Sequence, residues 1–283
     1  MEKHLSDLNI SVVVAIYNGL ETAQKCIDSI AHQTYKNKQL VIIDGGSKDG
    51  TVDLLAFNRE KINYWISEVD NGIYSAWNKA LLQVKGDWVC FLGVDDFFWD
   101  ENVLENIAKH LSLLPVEIRV AYAQVMLMNS KGEKLYAVGE PWQKIKGRFT
   151  KIMCLPHPGA MHRRSLFENR GHFDESFRIA GDYELLLREL KSAEAFFIPN
   201  LITAGVLQGG ISSSPGNILE QLREVRRAQR MHGQKMPSGP WLIALTKAHL
   251  RSLAWLFLGD RLARRCFDFC RKLFGLPAYW TKT

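Results

Sequence analysis

The sequence predicts an α/β fold with a mixed, mostly parallel central sheet, flanking helices and a C-terminal helical extension. Strand and helix patterns alternate through the first hundred residues, and the strand segments are continuous apolar runs, typical of strands buried on both faces. In addition, two carboxylates, Asp95 and Asp96, come directly after the apolar run Trp88–Gly93. Open α/β sheets bind ligands at the carboxyl ends of their parallel strands. The acidic pair therefore marks a candidate site.

The first half of the chain reads as repeated strand–helix steps. Continuous apolar runs or β-branched residues predict strands, and apolar residues three and four apart predict the helices between them. The predicted order is a strand at Ile10–Ile16, a helix after residue 19, a strand at Lys38–Asp44, a helix from about residue 49, a strand at 64–68, a helix at 73–84 and a strand at Trp88–Gly93. Such tight alternation favours parallel strands joined by right-handed crossovers.

The pattern changes after a predicted helix at Val103–Leu111. Residues 119–128 and 133–138 flank a short turn and predict a hairpin, so the second half adds antiparallel strands. Residues 139–160 contain three prolines and are expected to be mostly loop. Short helices are predicted near Arg164 and over residues 182–190, and residues 209–215 are predicted to form a mobile loop.

Composition bounds the class of protein. A chain of 283 residues with 47% hydrophobic content can bury one main core and a smaller attachment. The five cysteines are odd in number and form no CxxC pair, so neither a disulfide framework nor a zinc site is indicated. No signal-peptide pattern occurs at the N-terminus, and a cytoplasmic protein is expected.

The last third of the chain is basic. The net charge is +6, and the excess gathers between residues 223 and 272, interleaved with large apolar residues. Lys247, His249 and Arg251 interrupt the apolar stretch, so an interfacial amphipathic helix is favoured over a spanning one. Anionic lipid is the preferred partner of this region. A helical pair packed on the main domain, and a nucleic-acid-binding surface, are the alternatives.

Five segments together carry a resemblance to a known family. They are residues 11–18 (SVVVAIYN), 29–35 (SIAHQTY), 41–51 (VIIDGGSKDGT), 67–80 (SEVDNGIYSAWNKA) and 91–96 (FLGVDD). In this order they resemble the family 2 glycosyltransferases of the GT-A (Rossmann-like) fold, and the resemblance covers about residues 10–190. The type that they are most similar to builds bacterial exopolysaccharide, capsule or O-antigen.

The resemblance implies a GT-A domain over residues 1–215, with a donor half at about 1–115 and an acceptor half at about 116–215, followed by the basic amphipathic extension at 216–283. It also implies that the rim of the sheet binds a nucleotide-sugar. The residues that it assigns to donor or acceptor contacts are Tyr17, Asn18, Asp44, Ser47, Asp70, Lys79, Asp95 and His157.

Four of these assignments have a structural alternative. Tyr17 could be a packed aromatic at a strand end, Asp70 a turn residue, Lys79 a surface lysine and His157 an ordinary loop histidine. Asp49 is interpreted as a helix cap rather than a ligand contact.

Two aspartates are expected to carry the chemistry. By the resemblance, Asp96 holds a divalent cation, Mn²⁺ or Mg²⁺, that bridges the two phosphates, and carboxylate oxygens suit such hard ions. Asp182 matches the acid that takes the proton of the acceptor hydroxyl in inverting transfer. Its alternative is a helix cap; Glu184 is the substitute base and Asp174 a turn residue. The late loop beginning with Gly209 and including Ser212 is expected to close over the donor.

The function predicted from the sequence is therefore metal-dependent inverting transfer from a UDP-sugar to a lipid-linked or growing glycan acceptor, peripherally at the inner face of the cytoplasmic membrane. A nucleotidyltransferase would need a glycine-rich, lysine-bearing loop after the first strand, and a dinucleotide oxidoreductase would need GxGxxG there; neither motif follows Ile16. A nucleic-acid-binding protein and a non-catalytic protein on the same fold are the alternatives from other classes.

Overall fold

The computed structural model describes residues 8–210, 215–275 and 278–282. Its strands, in chain order, are β1 (Ile10–Ile16), β2 (Lys38–Asp44), β3 (Tyr64–Ser67), β4 (Trp88–Gly93), β5 (Phe97–Phe98), β6 (Val120–Met128), β7 (Lys134–Val138), β8 (Met161–Arg163) and β9 (Ala195–Leu207). Its α-helices are α1 (Leu20–Ala31), α2 (Thr51–Phe57), α3 (Ile73–Leu81), α4 (Val103–Leu111), α5 (Trp142–Phe149), α6 (Arg164–Arg170), α7 (Gly181–Leu190), α8 (Ile218–Met231) and α9 (Gly239–Leu273).

All of these strands form one mixed sheet. Its order is β3-β2-β1-β4-β8-β6-β9-β5, with β7 paired to β6. The first four strands in this order are parallel, whereas β8 is antiparallel to both β4 and β6. Because the carboxyl ends of the four parallel strands share one edge, the segments that follow β1, β2, β3 and β4 meet there. The predicted fold class is confirmed.

Both faces of the sheet are covered, which explains the continuous apolar runs. Along β1, Val12 and Val14 pack into the core on the side of α1 and α4, whereas Val13 packs into the core that contains α3, α5 and α7. These side chains are completely buried. Successive side chains of a strand point to opposite faces, so both sets must be apolar when helices lie on each side.

The second half contains elements that the sequence analysis did not predict, including the short strand β8. Residues 195–207, which the sequence pattern did not assign, form the long strand β9, parallel to β6 and antiparallel to β5. Pro199 and Asn200, the latter with a positive φ of 56°, interrupt its apolar pattern. Within the expected loop at 139–160, Trp142, Ile145 and Phe149 bury one face of helix α5.

The C-terminal region folds as a helical hairpin. Helix α9 reverses at Gly259, whose φ of 71° suits glycine far better than other residues. Trp255 and Phe267 are twelve positions apart, about 18 Å along a straight helix, yet their ring centroids are 5.0 Å apart. We call residues 239–275 and 278–282 the C-terminal hairpin. No helix within the described ranges is long and apolar enough to cross a membrane.

Candidate active site

The turns that follow β1 and β2 are joined to each other by hydrogen bonds. The Asn18 amide donates to Ser47 Oγ at 2.7 Å, and Asn18 Oδ1 accepts from the Lys48 amide at 3.0 Å. Asp49 accepts from the amides of Leu20 and Thr51, the first residues of α1 and α2, as its interpretation as a helix cap anticipates. These bonds fix the first two turns of the rim as one unit.

Asp44 lies beneath these turns and is fully buried. Its carboxylate accepts hydrogen bonds from the amides of Gly46 and Ser47 and from the hydroxyls of Ser47 and Ser67, at 2.5 to 3.1 Å. The structure thus gives Asp44 and Ser47 a role in holding the turn. The contact between Asp44 and a nucleobase stays a prediction.

A cavity of about 500 Å³, which we call the turn cavity, opens between these turns and the segment after β3. Tyr17, 68% exposed, lines it together with Gly45, Gly46 and Asp70. Asp70 also accepts from the Gly72 amide at 2.9 Å, so it belongs to a turn and to a cavity wall at once.

Lys79 is not among the described residues that line the turn cavity. Its ammonium group is 2.8 Å from Glu68 and donates to the Val69 carbonyl at 3.4 Å. The structure gives Lys79 an ion pair, and its phosphate contact stays a prediction.

A second cavity, of about 440 Å³, contains the acidic residues and is called the acidic cavity. It brings together Asp95, Asp96, His157 and Asp182, which are far apart in sequence, and Ile73 lines both cavities. The elements that deliver these side chains are the end of β4, the loop before β8 and the first turn of α7. Four of the predicted site residues therefore converge on one cavity.

Asp95 and Asp96 fold back over the end of β4. A side chain at Gly93 would place its Cβ 2.8 Å from Asp95 Oδ1 and 3.0 Å from Asp96 Oδ2, so glycine makes room for both carboxylates. Asp96 is 6% exposed and accepts from the Gly93 amide at 3.2 Å. Burial, reinforced by the charge of Asp95, raises the pKa of Asp96 well above its ordinary value, and burial raises the pKa of Asp95 as well.

Asp182 is the second residue of α7 and is partly buried. Its Oδ1 accepts from the Tyr183 amide at 2.8 Å and from the Tyr74 hydroxyl at 3.4 Å. Burial raises the pKa of Asp182 to about 6, although these two hydrogen bonds act in the opposite direction. A carboxylate with this pKa is ionised at neutral pH and is a stronger base than an ordinary aspartate.

His157 packs its ring against aromatic neighbours at the cavity wall. Its centroid lies 5.3 Å from that of Trp77 and 5.9 Å from that of Phe91, with both pairs stacked. Burial lowers the pKa of His157 to about 4, so the ring is neutral at physiological pH. Its buried Nε2 makes no hydrogen bond within the described structure, which leaves one polar atom for a ligand.

The donor set of the acidic cavity fits a divalent cation shared with a substrate. Two adjacent carboxylates lie there, and no lysine or arginine is among the described residues that line the cavity. The described part of the chain has no group of three or more histidine, cysteine, aspartate or glutamate side chains able to hold a metal ion. The protein would thus supply Asp96 and Asp95 alone, and phosphate and water oxygens the remaining ligands, as is common for Mg²⁺.

The sequence analysis missed several residues of this cavity wall. Tyr74 and Trp77 come from α3, Gln208 follows β9, and Tyr279 comes from the C-terminal hairpin. The helical spacing of Tyr74 and Trp77 indicated only a core face, and no local pattern distinguishes Tyr279. In the late loop, Gly210 lines the cavity, whereas Ile211 and Ser212 lie outside the described residues.

Comparison with known proteins identifies a family that this chain matches over more than half of its length. Residues 11–171 match the family model described as glycosyl transferase family 2. An uncharacterized glycosyltransferase of Rickettsia typhi is 30% identical over 195 residues, which are 66% of this chain and 60% of that protein. A PGL/p-HBAD biosynthesis glycosyltransferase of Mycobacterium bovis is 26% identical over 68% of this chain and 72% of its own length. The matched region thus spans less than two thirds of the rickettsial relative.

Solved structures share the fold at low identity. S. aureus TarS in complex with UDP-GlcNAc aligns with a TM-score of 0.63 at 18% identity, over 88% of this chain and 73% of that one. The mannosyltransferase PcManGT from Pyrobaculum calidifontis, in complex with GDP-Man and Mn²⁺, aligns with a TM-score of 0.60 at 16% identity, over 92% and 74%. At these identities the likeness concerns the architecture.

Proposed function

Because the chain belongs to glycosyl transferase family 2, we propose that it transfers a sugar from a UDP-sugar to a hydroxyl of a lipid-linked or growing glycan, with inversion at the anomeric carbon, in bacterial surface polysaccharide synthesis. One observation carries the proposal: the acidic cavity places the strand-end pair Asp95–Asp96 and the basic carboxylate Asp182 around one space. That arrangement suits a reaction that needs charge stabilisation at one end and proton removal at the other.

The turn cavity is the proposed binding site for the nucleoside of the donor. Tyr17 is exposed there and offers an aromatic face to the base, while Asp70 offers a carboxylate to the ribose or the base. The fixed turns at Asn18 and Ser47 present their backbone beside it. Since Ile73 lines both cavities, a nucleotide-sugar lying across it would place its sugar in the acidic cavity.

The phosphate end of the donor is assigned to Asp96 and Asp95. Their carboxylates would hold a Mn²⁺ or Mg²⁺ ion, which supplies Lewis-acid stabilisation of the departing diphosphate. The buried Asp96 is well placed for this role, because two neighbouring carboxylates favour a cation in a cavity whose described lining contains no lysine or arginine.

Asp182 is assigned as the general base. As the acceptor oxygen attacks the anomeric carbon from the face opposite the leaving group, the bond to the diphosphate oxygen breaks and the hydroxyl proton passes to Asp182. UDP is the leaving group, and its diphosphate oxygen keeps the electron pair of the broken bond. The Tyr74 hydroxyl and the Tyr183 amide both bind Oδ1 and so orient the carboxylate, which leaves Oδ2 for the proton.

The first experiment is a thermal-shift and calorimetry panel with UDP, GDP, CDP and TDP sugars in the presence of Mn²⁺, Mg²⁺ or EDTA. A ligand that binds only the folded state raises the apparent stability. We expect a UDP-sugar to stabilise the protein in Mn²⁺ and EDTA to reduce the effect. Stabilisation by GDP sugars alone would show that the donor nucleotide is GDP rather than UDP. No response to any sugar nucleotide would overturn the proposal.

The matching variant is Asp96→Asn. A neutral amide keeps the shape of the side chain but binds a divalent cation poorly, so the Mn²⁺-dependent part of the UDP affinity should disappear. Calorimetry with EDTA provides the control, because wild type and variant should then bind UDP equally. Metal-dependent affinity that persists in the variant would remove Asp96 from the cation site.

A further inference from the structure

The tip of the C-terminal hairpin exposes large apolar side chains around the turn at Gly259. Leu256 and Phe257 are 75% and 78% exposed, and Leu258 and Leu262 are 43% and 55% exposed. They lie within one helical turn of Gly259, so they are neighbours in space as well as in sequence. Exposed apolar groups of this size, clustered on one tip, mark an interaction site more often than ordinary surface.

The inner side of the hairpin is packed by side chains other than those of the tip. Trp255, Phe267 and Trp280 form an edge-to-face cluster between the arms. Asp268 accepts from the amides of residues 279 to 281 and so ties the C-terminal segment to the second arm. The apolar side chains of the tip therefore lie outside the internal core of the hairpin.

Cationic side chains accompany the apolar tip. Arg261 and Arg265 are exposed on the first turns after Gly259, and the nearby Asp260 is engaged by Arg264 at 2.8 Å. Over the whole of α9, the charged residues are Lys247, Arg251, Arg261, Arg264, Arg265, Arg271 and Lys272 against Asp260 and Asp268. An apolar tip with an excess of positive charge complements an anionic lipid surface.

We propose that the hairpin tip, Leu256 to Leu258 with Leu262, Arg261 and Arg265, docks the protein on an anionic membrane surface, with the apolar side chains at interfacial depth. No described helix can span a bilayer, which fits a segment that lies in the interface. This inference goes beyond the proposed transfer reaction, and its test needs no transferase activity.

The same hairpin also reaches the acidic cavity. Tyr279 lines the cavity, and the Arg271 guanidinium lies 5.2 Å from its ring centroid and 5.6 Å from that of Tyr136 on β7. If the transfer reaction is as proposed, docking at the tip would hold the cavity close to the membrane in which a lipid-linked acceptor is anchored.

The test is flotation of the full chain with vesicles of phosphatidylcholine alone or with 30% phosphatidylglycerol, at about neutral pH. We expect binding to the anionic vesicles, weak binding to the neutral ones and weakening by high salt. Phe257→Glu should lower the partition coefficient on anionic vesicles about tenfold or more. Phe57→Glu is the matched control, because Phe57 is 85% exposed on α2, outside the hairpin, and its replacement should leave binding unchanged.

A second variant tests the charge separately. Replacing Arg261 and Arg265 by glutamine should weaken binding to anionic vesicles about fivefold for each arginine, without changing the weak binding to neutral vesicles. Unchanged circular dichroism would show that the variants are folded. Equal binding by wild type and Phe257→Glu, or no binding to anionic vesicles, would overturn the proposal. A third outcome would also overturn the proposal: the wild-type protein binds no vesicles but self-associates, and Phe257→Glu abolishes the self-association. The tip would then bind a second copy of the chain.

Discussion

The carboxylates at the rim of the sheet fall into two groups that differ in what they contact. Those of the turns, Asp44 and Asp49, accept several hydrogen bonds from neighbouring amides and hydroxyls, and the Thr51 hydroxyl helps to lower the pKa of Asp49. Those of the acidic cavity, Asp96 and Asp182, accept few bonds and have raised pKa values because they are buried. Aspartates at one edge of the sheet therefore divide into a scaffold group, which holds turns, and a group that lines the acidic cavity, and the two groups differ in their hydrogen-bond partners.

The largest effect that would test this division is on catalysis. Asp182→Asn keeps the shape of the side chain but cannot accept the proton, so kcat should fall about 10²- to 10⁴-fold, the range of a lost general base. Nucleotide affinity should stay unchanged, because the assigned donor contacts lie elsewhere. Steady-state kinetics and calorimetry measure the two quantities.

Asp174→Asn is the control for that substitution. Asp174 binds the amide and hydroxyl of Ser176 in a turn, and its pKa is lowered, so it belongs with the scaffold carboxylates. Its replacement should leave kcat intact. A wild-type kcat in Asp182→Asn, or an equal loss of kcat in both variants, would contradict the distinction between Asp182 and the scaffold carboxylates.

The second effect is on stability and concerns the other group. Asp44→Ala leaves two amides and two hydroxyls without their buried acceptor, and we expect the free energy of unfolding to drop by about 3 to 5 kcal/mol. Urea denaturation followed by circular dichroism measures it. Asp70→Ala, which loses the Gly72 bond at a partly exposed position, should cost about 1 kcal/mol or less. Comparable losses of unfolding free energy in Asp44→Ala and Asp70→Ala would show that burial and the number of hydrogen bonds do not distinguish these two carboxylates.

The third and smallest effect is the pH dependence of transfer. The base must be ionised, and burial raises the pKa of Asp182 to about 6. Activity should therefore be level above this pH and fall about tenfold for each pH unit below it. Tyr74→Phe removes a hydrogen bond that favours the ionised form, so its acidic limb should move to higher pH. An unchanged acidic limb in Tyr74→Phe would show that the Tyr74 hydroxyl does not affect the pKa of Asp182.

The parallel half of the fold could be predicted from the sequence because its signals are local. The apolar run of β1 and the acidic pair after β4 are each contained in a few residues. Strand β9 could not, since Pro199 and the positive φ of Asn200 belong to a bulged pairing with β6 that only the sheet reveals. Helix α5 carried a readable spacing of Trp142, Ile145 and Phe149, which the surrounding prolines obscured.

The residues of the candidate site likewise divide into those that the sequence predicted and those that only the folded chain reveals. Motif resemblance singled out Asp96 and Asp182, and the structure brings both into one cavity. The burial that raises their pKa values depends on distant segments of the chain, as does the hydrogen bond from Ser67 to Asp44. Tyr279 reaches the cavity wall on a segment that Asp268 and Arg271 of the C-terminal hairpin contact.

Tyr279 also shows that the acidic cavity extends beyond the part of the chain that matches the family model. The family match ends at residue 171, yet one wall of the acidic cavity is built from a residue more than a hundred positions later. A truncated expression clone that stops at the end of the sheet would open the cavity on that side. Chimeras between relatives would likewise have to carry the cavity-facing tyrosine together with the hairpin that delivers it.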